Sequence, residues 1–186
     1  MSLDDAARIL SHADVPLWLL TSRAGERQGG LIASFVQNAS LVDDLPRIVV
    51  GLAKHHQTTQ LIEASGRFGL HSLAEQNLPL VWQFGMQSGK VTDKLAGCST
   101  RADSGLPLLS DVPIAMECTV EAKLDVGDRI LFLAAVTVAH RQNDEPALTR
   151  NRMVELATPE QLQEMRRQRL DDTEVDRAAI LAWRKR

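Results

Sequence analysis

The chain has 186 residues, 44% hydrophobic and 24% charged, with a net charge of −3, which describes one well-cored domain, or a domain with an appendage, and excludes a disordered chain. The slight negative charge and the lack of a long basic block give no reason to expect nucleic acid. No run approaches the roughly 18 apolar residues of a membrane helix, and "MSLDDAARIL" is acidic where a signal peptide is basic, so we expect a cytoplasmic protein with no membrane partner.

Residues 2–13 have the spacing of a short amphipathic helix, with Ser2 as its cap. "PLWLLTS" (16–22) reads as a strand, and "RAGERQGG" (23–30) as a polar connection to a second strand at Leu31–Gln37, giving a hairpin. "RIVVGLA" (47–53) is β-branched and apolar, a buried strand. In "QTTQLIEASG" (57–66), Thr58 or Thr59 supplies a cap and Gly66 a stop, so a helix is expected. "RFGLHSL" (67–73) is the next strand, and 74–89 the next helix, with Pro79 near its start.

The clearest periodicity is in "IAMECTVEAKL" (114–124). Ile114, Met116, Cys118, Val120, Ala122 and Leu124 alternate with Glu117, Thr119, Glu121 and Lys123, as in a strand with one wet face. "DVGD" (125–128) turns, and "RILFLAAVTVAHR" (129–141) is apolar on both faces, as a central strand is. Beyond Pro146 the spacing is helical. Residues 158–186 carry seven Lys/Arg and six Asp/Glu, so the tail is no electrostatic arm. Its apolar residues, among them Met165, Leu170, Val175 and Trp183, must cover something, either the barrel or a second subunit. Cys98 and Cys118 are too few for a zinc site and read as reduced thiols. Six mostly antiparallel strands with short helices between them suggest a small closed barrel with helical decoration.

Four blocks, in order, resemble the flavin reductase-like family, the FMN-binding split barrels. Gly30 to Leu41, "GLIASFVQNASL", is similar to a signature that reads roughly G-M-T-A-S-S-F-T-S-V-S-L. "RIVVGLAKHHQTTQLIEASGRFGLHSL", "VWQFGMQSGKVTDKLAG" and "GLPLLSDVPIAMECTVEAKLDVGDRILFLAAV" resemble the three blocks that follow. The resemblance implies a mainly β fold, a six-stranded antiparallel Greek-key split β-barrel, over residues 1–146, with a C-terminal helical extension over 147–186. It also implies a homodimer with FMN near the subunit interface, NAD(P)H as electron donor, and a separate monooxygenase component as acceptor. Ile32 and Phe35 stand where the family has hydroxyls, and Arg129 stands where many reductases have histidine. Those departures keep open a non-catalytic protein that binds FMN or haem.

FMN asks for donors at its phosphate and a flat, mostly apolar slot for its ring. On the resemblance, Ala33 and Ser34 would line the ring. Ala39 would let the backbone approach, and Gln37, Asn38 and Ser40 would serve the ribityl chain or the phosphate. The same polar residues at a strand end can also simply make a turn. "KHHQTT" (54–59) places Lys54, His55 and Thr58 at a helix start, a good phosphate site. Lys94 in "DKLAG" is a further phosphate partner or a surface ion pair. Adjacent histidines rarely point at one ion, and the sequence offers no third ligand nearby, so no metal is expected. There is no G-x-S-x-G, G-x-G-x-x-G or P-loop, and hydride transfer to flavin needs no protein nucleophile.

Overall fold

Two residues, Ser34 and Phe35, decide the architecture. The computed structural model describes residues 5–6, 9–10, 12–86, 93–101 and 105–186. Its strands are β1 (Trp18–Ala24), β2 (Arg27–Ala33), β3 (Val36–Asn38), β4 (Arg47–Ala53), β5 (Arg67–Ser72), β6 (Ile114–Asp125) and β7 (Arg129–Arg141). They form one antiparallel sheet in the order β2-β1-β5-β6-β7-β4-β3. β2 and β3 are therefore the two edges, yet only Ser34 and Phe35 separate them. Flat, those edges would stand about 29 Å apart at the usual strand spacing. The linker reaches about 10 Å. The sheet must curl until its edges meet, and Gly51 N–H donating to the Phe35 carbonyl at 2.9 Å carries the β3–β4 ladder on into the linker.

This corrects the expectation of six strands to seven. The run expected as one strand, Leu31–Gln37, is two strands on opposite edges, because barrel closure bends the chain between them. The first hairpin is also tighter than expected. β1 and β2 pair from Trp18↔Ala33 to Ala24↔Arg27, so only Gly25 and Glu26 turn. Gly30 is a strand residue; a Cβ there would lie 2.7 Å from Phe84 Cε1. Its lack of a side chain serves close packing of a helix on the strand.

The helices are α1 (Gln57–Ser65), α2 (Leu78–Met86, after a 3₁₀ turn at Glu75–Asn77), α3 (Arg150–Leu156) and α4 (Pro159–Trp183). α1 ends at Gly66 (φ +67°), whose N–H donates to the Ile62 carbonyl. Its N-cap is His56, and neither threonine caps it. Thr59 instead donates its hydroxyl to the Ala53 carbonyl at 2.8 Å, tying the helix to β4. α2 starts one residue before Pro79, where a missing N–H costs nothing. Residues 87–89 of the helix expected there lie outside the described residues, as does half of the helix expected over 2–13.

β6 and β7 form the long hairpin, and β7 lies between β6 and β4, as a strand apolar on both faces should. The strict alternation of β6 does not hold. Irregularities at Glu117/Cys118 and Val120/Ala122 shift the pairing, and such bulges reset which face a side chain takes. Glu117 becomes buried, held by Arg67 at 2.7 Å, while Leu124 is exposed.

The core has two parts. Leu20, Val50, Ile62, Phe68, Leu70 and Phe132 fill one cluster. Leu19, Leu73, Phe84, Leu108, Leu148 and Met153 fill the other. The neighbours Leu19 and Leu20 go to different clusters, the period-2 geometry of a strand buried on both faces. Leu148 also bonds Leu17 and Leu73 through its backbone, so the segment after Pro146 is woven into the core before α4 leaves it. α4 is one 25-residue helix, opened by Thr158 and Gln161 in a capping box with Pro159 at its start. None of its residues is fully buried.

Candidate functional site

The end of β4 delivers Lys54, His55 and His56 to the first turn of α1. That turn has no side-chain cap and no acid. A nine-residue helix with free N–H groups at its start favours an anion there. Thr58 is buried in the first turn, with Oγ1 3.4 Å from where a Cβ on Gly29 would sit. His56 feels His55, Lys94 and Arg129 as positive neighbours and Asp172 as a negative one. Desolvation by the crowded loop, with His55 beside it, lowers the His56 imidazole to about 4 although the residue as a whole is exposed, so it is neutral at neutral pH.

Lys94 is buried, and its Nζ donates to the Phe84 carbonyl at the C-terminal end of α2, at 2.8 Å. Its own carbonyl accepts from Gln83 Nε2 at 2.6 Å. Burial lowers its ammonium to about 8, and no carboxylate pairs with it among the described residues. Lys94 lines a groove of about 790 Å³ between α2 and α4, together with Trp82, Gln83, Met86, Glu160 and Glu164.

Arg129 links the two halves of the site. Its guanidinium lies 4.9 Å from the centroid of the Phe35 ring, at the barrel seam. It also pairs with Asp128 at 3.2 Å and with Asp176 of α4 at 2.9 Å. Asp176 stands 3.9 Å from His55 Nδ1, and Asp172 lies 3.2 Å from His55 Nε2. Burial raises the Asp176 carboxyl above the usual range. Further along, Trp183 packs on Gly127, where a Cβ would stand 2.9 Å from its own Cβ. α4 thus crosses from α2, where Met165 packs on the core and Gln168 bonds the Met86 carbonyl, to the hairpin turn.

The residues singled out from sequence therefore divide. Ala33, at the buried end of β2, and Ser34, in the seam, precede Phe35 and so adjoin the Arg129 group. His55 and Thr58 stand at the start of α1, whereas Lys94 lines the groove between α2 and α4, and its charge reaches the N-cap His56. Lys54 is engaged in an exposed ion pair with Asp125 at 2.7 Å. Gln37, Asn38, Ala39 and Ser40 are not brought to this place. Asn38 pairs with Ile48 at the far end of β4, about 20 Å along the strand from Lys54. There Asn38 Oδ1 accepts from the Ser40 N–H, and Ser40 Oγ from the Val42 N–H, so both side chains build the local turn.

Asp172 and Asp176 are the residues that sequence reasoning missed. Their i, i+4 spacing puts both on one helix face, but nothing local says which surface that face meets. Their arrival also supplies the third potential metal ligand expected to be absent. His55, His56 and Asp172 offer donor atoms within 4.8 Å of one another.

Residues 10–157 match the family model described as flavin reductase like domain. The high molecular weight rubredoxin of Moorella thermoacetica is 34% identical over 126 residues, 66% of this chain and 54% of that protein. Diflavin flavoprotein A 1 of Synechocystis sp. is 30% identical over 139 residues, 73% of this chain and 24% of that protein. The chain thus spans about half of the first relative and a quarter of the second. Among solved structures, nitrilotriacetate monooxygenase component B of Mycobacterium thermoresistibile has the same fold. It superposes with a TM-score of 0.68 at 24% identity, covering 84% of this chain and 91% of that one.

Proposed function

Because the chain belongs to the flavin reductase-like family, we propose that it is an oxidoreductase that binds FMN and accepts hydride onto it from NAD(P)H. The observation that carries this reading is the anion-ready end of the barrel. The α1 N-terminus has no side-chain cap and no acid of its own, although Asp172 of α4 stands by His55 and the N-cap His56, and the buried Lys94 ammonium has a carbonyl and no carboxylate as partner among the described residues. A phosphate fits both needs.

The donor set suits the group. Lys94, His55, Thr58 and the α1 N–H groups would hold the phosphate end. Ala33 and Ser34, with the apolar Ile32 and Phe35 beside them, would border the ring. Bound flavin supplies the electron-accepting ring, and the protein's part is to orient the reactants and exclude water. Arg129, rather than an imidazole, is the cation nearest this border, and it suits a phosphate or carboxamide of the donor.

We read the protein as a cytoplasmic homodimer. Phe35 at the seam and Leu41 and Leu45 in the loop between β3 and β4 are 59%, 98% and 65% exposed, apolar side chains that a second copy would cover. The component name of the Mycobacterium neighbour favours a separate acceptor, such as a monooxygenase. No described helix is long and apolar enough to cross a membrane.

A second reading, a split barrel that binds FMN or haem without turnover, is favoured by the Phe35–Arg129 contact, which joins two departures from the family pattern. Purified protein supplied with FMN should show the visible bands of bound oxidised flavin. Mixed anaerobically with NADH or NADPH in a stopped-flow instrument, it should bleach. Bound flavin that stays oxidised selects the second reading, and absence of bound flavin defeats both.

A further inference from the structure

The loop before α1 carries adjacent imidazoles whose ring centroids are 4.4 Å apart. Neighbouring side chains on a strand point to opposite faces. Here the chain is leaving β4 for α1, with His56 as N-cap in extended backbone, and the two rings lie side by side. α4 then lays Asp172 against them. His55 Nε2 is buried and has no hydrogen-bond partner, although Asp172 Oδ1 is only 3.2 Å away. An imidazole nitrogen and a carboxylate oxygen at that distance, without a hydrogen bond between them, leave a lone pair unused. In a tetrahedral site with bonds of about 2.0–2.1 Å, neighbouring donors stand roughly 3.3 Å apart. The His55–Asp172 separation is one edge of such a tetrahedron. His56 is exposed, and one donor atom from each of His55, His56 and Asp172 lies within 4.8 Å of the other two.

We propose that His55, His56 and Asp172 form a divalent transition-metal site, of the zinc class, that pins the C-terminal helix to the barrel.

The surrounding charges agree. Lys54 is matched by Asp125, and Arg129 by Asp128 and Asp176. Lys94 is turned to the Phe84 carbonyl. Asp172 has only His55 as an ionic partner among the described residues. Two nitrogens and one carboxylate are the donors of Zn²⁺, Co²⁺ or Ni²⁺ rather than of Mg²⁺ or Ca²⁺, and a fourth position is left for water. Asp176 faces the other nitrogen of His55 at 3.9 Å, and its Oδ1 has no hydrogen bond. That is the place of the carboxylate that orients a ligating imidazole from behind, and Arg129 holds it there. The proposal does not rest on flavin binding. His55 belongs to both sites and Asp172 stands 3.2 Å from it, so the metal is read by its own binding and thermal shift in protein without flavin.

The test uses the untagged full chain stripped with a chelator. Calorimetric titration with Zn²⁺ should show one equivalent bound, with a raised thermal midpoint. Co²⁺ should give the visible bands of a tetrahedral ion without thiolate charge transfer. Asp172→Asn should weaken binding about tenfold or more and remove the thermal shift. If Asp172→Asn fails to fold by circular dichroism, His56→Ala, a change at an exposed side chain, gives the same reading. No saturable binding, binding undiminished in these variants, or a thiolate spectrum that makes Cys98 the ligand would each overturn the site.

Discussion

The Arg129 guanidinium lies over the Phe35 ring, 4.9 Å from its centroid, at the seam where the barrel closes. Each residue is a departure from the family pattern, and the structure makes them one unit. A cation over an aromatic face contributes about 0.5–2 kcal/mol, depending on how far it is desolvated. Phe35→Ser and Arg129→His, the changes toward the family pattern, should therefore be non-additive. In a double-mutant cycle read by chemical denaturation, the coupling energy should be at least about 0.5 kcal/mol. Additive effects would mean that the two substitutions are unrelated.

Lys94 gives the flavin reading a pH signature. Burial lowers its ammonium to about 8, and a bound phosphate would favour the charged form. Binding therefore takes up a proton above pH 8, and affinity must fall as pH rises. FMN should bind roughly tenfold more weakly at pH 9.5 than at pH 7. Lys94→Met should bind weakly at both values, with a flatter profile. Equal slopes in the two proteins, measured by fluorescence quenching, would remove Lys94 from the phosphate site.

What the sequence made legible was local. Gly66 marks a helix stop because only its own φ matters. The helical spacing beyond Pro146 was legible too, whereas the capping box of Thr158 and Gln161 is a finding of the structure. The hairpin of β6 and β7 is readable because its two halves are adjacent. The break at Ser34–Phe35 is different. Nothing in those two residues forbids a strand, and it is the meeting of two sheet edges that bends the chain. The irregularity at Glu117 likewise goes with a partner, Arg67, fifty positions away. In the candidate site, His55 and Thr58 were singled out from the helix start in "KHHQTT", and Lys94 from "DKLAG". Asp172 and Asp176 were not, because a helix face names no target until the topology brings one.

Gly30 and Gly85 separate the two uses of glycine at the β2–α2 contact. A Cβ at Gly30 would meet Phe84 Cε1 at 2.7 Å and the Leu20 carbonyl oxygen at 3.0 Å, and Phe84 is a fully buried ring that cannot retreat. Gly30→Ala should cost about 1–3 kcal/mol. Gly85 lies within α2, and its nearest neighbour, Ile32 Cγ1, would be 3.6 Å away, an ordinary contact. Gly85→Ala should stabilise by about 0.5–1 kcal/mol through helix propensity. Thermal midpoints that move in the same direction for both variants would contradict this packing.

His71 is fixed by backbone on both sides. Its Nδ1 lies 2.8 Å from the Leu19 carbonyl, and the Leu109 N–H donates to its Nε2 at 3.0 Å. Nε2 must therefore accept and Nδ1 must donate, which defines a single neutral tautomer. The ring is completely buried, and burial lowers it to about 4. An unfolded imidazole takes its proton near pH 6.5. Between those values the unfolded chain binds a proton that the folded chain refuses. His71 therefore contributes its full stability above about pH 6.5 and loses it as pH falls toward 4, on the order of 3 kcal/mol in all. His71→Leu removes that dependence. It also strands the Leu109 N–H and the Leu19 carbonyl, at a cost of about 2–5 kcal/mol near pH 7. In urea titrations from pH 7.5 to 4.5, the gap between wild type and variant should be widest at pH 7.5 and should narrow steadily with acid. A gap that stays constant would mean that the buried ring does not resist its proton.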